Sequence, residues 1–123
     1  AALAADDPAR EDFVALEDWL NDGVPLAGPV AHECFVDWYG ENLPGQGAWA
    51  VAETLIDPRA LQCPAFVVLP DNDRLVPPGS ARALADRLPD PTIYAPTAGH
   101  IGMVVGRKAE TGLWAPLRDW LIS

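Results

Sequence analysis

One stretch of the chain, residues 64–78, decides the fold, and it reads PAFVVLPDNDRLVPP. Its opening run is apolar and predicts a buried strand, which ends at the turn beginning with Pro70. A second stretch, residues 91–102, reads PTIYAPTAGHIG and again places a short extended run before a loop. A helical pattern lies between the two stretches, with Ser80 as its expected N-cap. Strand, helix and strand in this order predict a right-handed parallel unit.

An acidic residue follows the first strand and a histidine follows the second. Asp73 and His100 are therefore expected at the carboxyl edge of the sheet, where open α/β folds build their sites. A carboxylate that orients a histidine base suits a nucleophile–His–Asp triad. Asp71 is the competing acid, and Gly99 is expected to let the backbone turn His100 outward. The alternative is that ordinary turn aspartates and an incidental loop histidine stand at these positions.

The composition describes one small acidic domain, or part of a larger one. Half of the 123 residues are hydrophobic, and the formal net charge is −10. So acidic a chain is a poor partner for nucleic acid or for an anionic membrane surface. No apolar run reaches the ~18 residues of a membrane span, and we expect a cytoplasmic protein. The two cysteines, Cys34 and Cys63, are too few for a disulfide-stapled secreted domain and are expected to be free, buried thiols.

Two helical patterns precede the first strand. One begins at Asp7-Pro8 and the other at Gly28-Pro29, and turns rich in proline and glycine join them. Two helices without a strand pattern are more typical of an inserted cap than of the frame of a sheet. We therefore predict a helical cap-like segment over residues 1–48 and a core portion over residues 49–123.

A last helical pattern begins at Thr111 or Gly112 and has a wide apolar face, with Trp114 and Trp120 expected in the core. Two strands with their helices do not complete a sheet covered on both faces, because such sheets usually have several strands. The apolar faces must then meet something else. We expect the chain to be the C-terminal part of a longer protein, or to assemble with another chain.

Two blocks of the sequence carry a resemblance to a known family. The run NDRLVP at 72–77 and the run GHIG at 99–102 resemble the acid and histidine blocks of the α/β-hydrolase superfamily. Within it they are most similar to the polyhydroxyalkanoate synthases, whose acid block has the form Asp-x-hydrophobic-Val-Pro and whose histidine block is Gly-His-Ile. Upstream, WLND at 19–22 and WYGENL at 38–43 resemble the cap segment of that family, and IDP at 56–58 resembles the run leading into the acid-bearing strand.

The resemblance implies the C-terminal part of an α/β-hydrolase fold, with parallel strands and flanking helices after a helical cap, incomplete as a stand-alone sheet. It also implies a cysteine-based acyltransferase that takes (R)-3-hydroxyacyl groups from coenzyme A thioesters and links them into a polyester. Carried over residue by residue, His100 is the base and Asp73 the acid. Coenzyme A thioester enters as substrate, without a bound cofactor. The family further implies a homodimer and a place at the surface of polyester granules.

The nucleophile of such a triad is not in this sequence. No Gly-x-Cys-x-Gly or Gly-x-Ser-x-Gly elbow occurs; Cys34 stands in HECFV and Cys63 in LQCPA. We therefore expect a missing N-terminal half that bears the nucleophile, and a chain that is inactive by itself. Three tryptophans of the cap region are expected either to line an acyl pocket or to pack in a core: Trp19, Trp38 and Trp49.

Two alternatives to the acyltransferase stay open. One is a serine-type hydrolase of the same fold, an esterase or a depolymerase, because many hydrolases share the acid and histidine blocks. The other is a non-catalytic interaction module of the same fold. A zinc site would need closely paired ligands, and the cysteines and histidines do not have that spacing, so no metal is expected. The four residues considered for it are His32, Cys34, Cys63 and His100.

Overall fold

The computed structural model of the chain describes residues 8–123, so Asp7, where the first helical pattern is expected to begin, lies outside the described part. The described residues form two units, one that ends at Asn42 and one that runs from Leu43 to Ser123. Helices and short strands are mixed along the chain, and the strands form two small sheets. The assignment of residues 1–48 to a cap and of residues 49–123 to a core stays a prediction.

The first unit is helical. Helix α1 spans Pro8–Asn21, and helix α2 spans Gly28–His32 and continues as a π-helical stretch over Glu33–Gly40. Pro29 stands in the first turn of α2, where the missing N–H and fixed φ of a proline suit a helix start. None of these helical residues is fully buried. The two predicted helices are confirmed, and their apolar faces stay largely uncovered.

The second unit opens with two small elements. Helix α3 spans Leu43–Gln46, and strands β1 (Ala50–Val51) and β2 (Thr54–Leu55) form an antiparallel hairpin. The two turn residues of the hairpin, Ala52 and Glu53, have φ values of 47° and 65°. A hairpin turn of two residues favours positive φ at both positions because its twist then matches the strands.

A parallel pair of strands forms the sheet that matters for the site. Strand β3 (Phe66–Val68) pairs with strand β4 (Thr92–Tyr94), with Phe66 opposite Thr92. Helix α4 (Pro78–Ala85) lies between them in the chain. A short 3-10 turn, Pro58–Ala60, precedes β3. The predicted strand–helix–strand order and the parallel pairing are confirmed.

The start of α4 differs from the expectation. The helix begins at Pro78 with Pro77 as its N-cap, and Ser80 lies inside its first turn without a capping hydrogen bond. A proline at the first helical position loses no hydrogen bond, because the first N–H groups of a helix have no partner within it. The helix therefore begins at the prolines, two residues before Ser80, and the prediction of Ser80 as N-cap is wrong.

The C-terminal region is helical. Helix α5 spans Gly102–Val105, and a π-helical stretch, Glu110–Trp114, leads into helix α6, Ala115–Leu121. The expectation that Trp114 belongs to the core is wrong, since it is 52% exposed, whereas Leu113 is buried. A π turn has more residues than an α turn, so it rotates the following side chains relative to an α-helical pattern.

The core of the second unit is sparse. Four hydrophobic residues other than proline are buried among those described: Leu69, Ala85, Ala109 and Leu113. Trp120 packs against Phe66 at a ring distance of 5.3 Å, and Phe66 packs against Tyr94 at 5.9 Å. Small sheets with so few buried side chains are consistent with an α/β fragment. Within residues 8–123, every helix is too short or too polar to cross a membrane.

Candidate active site

The two loops that follow β3 and β4 leave the sheet side by side. Three backbone N–H groups of the first loop donate to carbonyl groups at the end of β4 and in the loop after it: Leu69 to Tyr94 at 2.9 Å, Asp71 to Pro96 at 3.3 Å, and Asn72 to Ala98 at 3.3 Å. These bonds extend the contact between the strands beyond the ends of the sheet. The residues that follow directly, Asp73 and His100, are thereby brought to the same place at the carboxyl edge.

Asp73 and His100 are in direct contact. The Nδ1 atom of His100 lies 2.7 Å from Oδ2 of Asp73. The side chain of Asp73 is 4% exposed and that of His100 is 36% exposed. An ionised carboxylate can only accept hydrogen bonds, so Nδ1 is the ring nitrogen that carries the proton. The other nitrogen, Nε2, has no hydrogen-bond partner among the described residues and is free to accept a proton.

The carboxylate of Asp73 is held at both oxygens. Its Oδ1 accepts hydrogen bonds from the backbone N–H groups of Leu75 and Val76, both at 2.9 Å. An aspartate that bonds to the backbone just after itself closes a tight turn. Burial raises the pKa of this carboxyl, but the hydrogen bonds from Val76, His100 and Leu75 outweigh burial and hold the pKa below its ordinary value. Asp73 is therefore ionised at neutral pH.

Asp71, the competing acid, has a different place. Its side chain is exposed, and its Oδ2 accepts a hydrogen bond from Thr97 Oγ1 at 3.3 Å. Thr97 lies in the loop after β4, so this contact links the two loops from the outside. Of the two aspartates, it is Asp73 that contacts His100.

The expected role of Gly99 is wrong. Gly47 is the one glycine with positive φ among the described residues, so Gly99 does not use a conformation reserved for glycine. A Cβ at Gly99 would lie 3.7 Å from the carbonyl oxygen of Asn72, which is an ordinary contact. The loop that carries His100, residues 95–101, is called the histidine loop below. Its backbone is held instead by the hydrogen bond from Met103 N–H, in α5, to the Gly99 carbonyl at 3.0 Å.

Cys63 does not lie with this pair, and Cys34 belongs to the first unit. Both are free thiols; Cys34 is half-buried in the first unit, and Cys63 is exposed. The expectation that Cys63 is buried is wrong, because it stands in the loop before β3 and not in the strand. Cys63 precedes β3 while Asp73 follows it, so the two residues lie at opposite ends of that strand. Within residues 8–123, no group of three histidine, cysteine or acidic side chains could hold a metal ion.

Two further hydrogen bonds near the site are not predicted by the sequence pattern. The hydroxyl of Tyr94 donates to the carbonyl of Gly112 at 2.7 Å, and the indole Nε1 of Trp114 donates to the carbonyl of Val104 at 3.0 Å. The sequence contains one feature from which the hydrogen bond to Gly112 could have been predicted. Pro116 follows Gly112 at the spacing of a helical hydrogen bond, and a proline has no N–H to donate.

Comparison with known proteins relates the chain to polyester polymerases. The poly(3-hydroxyalkanoate) polymerase subunit PhaC of Synechocystis sp. is 30% identical over 97% of this chain. The subunits of the same name from Allochromatium vinosum and Haloferax mediterranei are 31% and 29% identical over 94% and 89% of it. These matches cover 32%, 34% and 23% of the relatives, so the chain spans about a quarter to a third of their length. No family model matches the chain, and no solved structure matches it.

Proposed function

Because the chain matches the C-terminal portion of polyhydroxyalkanoate synthases, we propose that it supplies the acid and the base of an acyltransferase of that kind. Asp73 is the acid and His100 the base. The observation that carries the proposal is the 2.7 Å contact between His100 Nδ1 and Asp73 Oδ2 at the end of a parallel strand pair. The nucleophile is a cysteine in an N-terminal half of the protein outside these 123 residues.

The reaction proceeds in two acyl transfers. His100 Nε2 takes the proton of the cysteine thiol, and the thiolate attacks the carbonyl carbon of a (R)-3-hydroxyacyl thioester. The bond to sulfur of coenzyme A breaks, and the coenzyme leaves as a thiol with the proton from His100. A hydroxyl group of a second hydroxyacyl unit then gives its proton to His100 Nε2 and attacks the enzyme thioester. The ester bond of the polymer forms, the bond to the cysteine sulfur breaks, and the proton passes from His100 to the released thiolate.

The role of Asp73 follows from its surroundings. Its lowered pKa keeps it ionised, so it can stabilise the imidazolium that forms when His100 takes a proton. Its contact with Nδ1 also holds the tautomer in which Nε2 is the basic atom. Both effects require the carboxylate to stay in one position, and the two backbone bonds from Leu75 and Val76 supply that restraint.

The wider setting comes from the family resemblance. Residues 49–123 are the C-terminal part of an α/β-hydrolase fold, and residues 1–48 are the cap-like segment. Coenzyme A thioester is a substrate, with no bound cofactor. The protein acts as a homodimer in the cytoplasm, at the surface of polyester granules.

The test is release of free coenzyme A from 3-hydroxybutyryl-CoA by the full-length protein that contains this chain. His100→Ala should lower kcat at least ~100-fold, the smallest usual effect of removing a general base. His32→Ala is the matched control, because His32 is an exposed histidine of the first unit, and it should leave the rate unchanged. Recovery of polymer distinguishes synthesis from hydrolysis by a serine enzyme. Release that is equally fast without His100 would reject the proposal.

A further inference from the structure

The helical stretch near the C-terminus has a carbonyl group that cannot form the regular α-helical hydrogen bond. In a regular α-helix the carbonyl of Gly112 would accept from the N–H of residue 116, which is a proline and has none. The chain forms a π-helical turn there, in which Ala115 N–H donates to Glu110. The hydroxyl of Tyr94 takes the vacant position and donates to the Gly112 carbonyl at 2.7 Å.

A second carbonyl is satisfied from the same stretch. Helix α5, Gly102–Val105, is a single turn, and the last carbonyl groups of any helix have no partner within it. The indole N–H of Trp114 donates to one of them, the carbonyl of Val104, at 3.0 Å. Trp114 is a large side chain at an exposed position, so this hydrogen bond gives a reason for its place that core packing does not.

The two hydrogen bonds, Tyr94 to Gly112 and Trp114 to Val104, involve residues on either side of His100 in the sequence. Tyr94 is the last residue of β4, before the histidine loop, and Val104 lies in α5, directly after it. Helix α5 is joined directly to the end of this loop, because Val104 N–H donates to the Ile101 carbonyl at 3.0 Å. The histidine loop is therefore attached at both ends to one helical stretch, Glu110–Trp114.

We infer that Tyr94 and Trp114 are positioning residues that hold His100 on Asp73. The ring of His100 is partly exposed, and among the described residues its one hydrogen bond is to Asp73, so its position depends on the path of its backbone. Fixing both ends of the loop limits that path. The inference rests on the proposed function for its effect on catalysis, but the geometry that it describes can be measured without any substrate.

The variants Tyr94→Phe and Trp114→Phe each remove one donor and keep an aromatic ring. The direct readout is the Nδ1 proton of His100 by NMR of this chain, together with the ring nitrogen shifts that report the tautomer. We expect the Nδ1 proton signal to broaden or disappear in both variants, most completely in the double variant. Trp120→Phe is the matched control: Trp120 also packs on this sheet, through Phe66, but its indole makes no hydrogen bond to the histidine loop among the described residues, and its variant should keep the signal.

A general loss of structure is recognised by amide exchange of β3 and β4, which all variants should keep. A sharp, unchanged Nδ1 signal in the double variant would overturn the inference. So would equal loss of the signal in Trp120→Phe. In the full-length protein, each single variant should lower kcat about 5-fold, the effect of one ordinary hydrogen bond, with KM unchanged. Failure to release coenzyme A at all would reject the proposed function, whereas the NMR result would stand by itself.

Discussion

Oδ2 of Asp73 lies 2.7 Å from Nδ1 of His100, although the two residues are 27 positions apart in the chain. The contact depends on the parallel pairing of β3 with β4 and on the backbone bonds that continue it into the loops. The other carboxylate oxygen of Asp73, Oδ1, accepts hydrogen bonds from the backbone N–H groups of its own turn. The pair is therefore a rigid carboxylate and a partly exposed ring, and the properties of each can be tested separately.

We expect the chain to lose stability in acid because of Asp73. The pKa of its carboxyl is lower in the folded chain than the ordinary value of about 3.9. Its contribution to the free energy of unfolding is thus fully present above that value and is lost as the pH falls through the folded pKa. Urea unfolding at a series of pH values measures this. Asp73→Asn does not titrate, so its acid limb should be flatter, and an acid limb as steep as that of wild type would contradict the assignment.

Substitution of the two aspartates should have very different effects on activity. Asp73→Asn in the full-length protein removes the charge that stabilises the imidazolium and is expected to lower kcat ~100-fold or more. Asp71→Asn changes an exposed side chain whose one hydrogen bond is to Thr97, and it should keep nearly full activity. Steady-state release of coenzyme A separates the two. The reverse order of effects would assign the acid role to Asp71.

Arg87 should stabilise the start of the second unit. Its guanidinium donates to the carbonyl groups of Pro44 and Gly45, which lie in α3. Hydrogen bonds from a charged group contribute up to about 1.5–3 kcal/mol, and partial exposure reduces this, so Arg87→Ala should lower the free energy of unfolding by about 1 kcal/mol. Arg82→Ala is the control, since Arg82 makes an exposed ion pair with Asp86 and should cost under about 0.5 kcal/mol. Equal losses in urea unfolding would contradict the role of Arg87.

Amide exchange should alternate along β3. The register with β4 turns the N–H groups of Val67 and Leu69 toward that strand, while those of Phe66 and Val68 face the other edge. We expect slow exchange at the first pair and fast exchange at the second in this chain alone, measured residue by residue with NMR. Slow exchange at all four residues would mean that the second edge is paired in solution.

The sequence order was enough to predict the arrangement of the site. An apolar run, a helical pattern and a second extended run leave few topologies, and the parallel pairing brings the loop after each strand to the same edge. The approach of Asp73 to His100 follows from that topology. The choice of Asp73 over Asp71 depends on the local turn, which the pattern Asp-x-hydrophobic-Val-Pro already indicates.

The incorrect expectations concern individual side chains. Ser80 and Pro78 both favour a helix start, and propensity alone does not decide between them. An α-helical period places Trp114 in the core, whereas the π turn before Pro116 changes the period locally. Cys63 stands in a loop, where the usual burial of cysteine does not apply. In each case the outcome depends on backbone geometry that a pattern of residue types does not contain.

Pro116 also creates a competition for one acceptor. A proline inside a helical run removes a backbone hydrogen bond, so Pro116→Ala would be chosen to strengthen the helix. Here the restored N–H would compete with the hydroxyl of Tyr94 for the carbonyl of Gly112. A more stable helix would then come at the expense of the attachment of the histidine loop. A gain in thermostability at Pro116 would therefore weaken the restraint on the base, His100, because both depend on the carbonyl oxygen of Gly112.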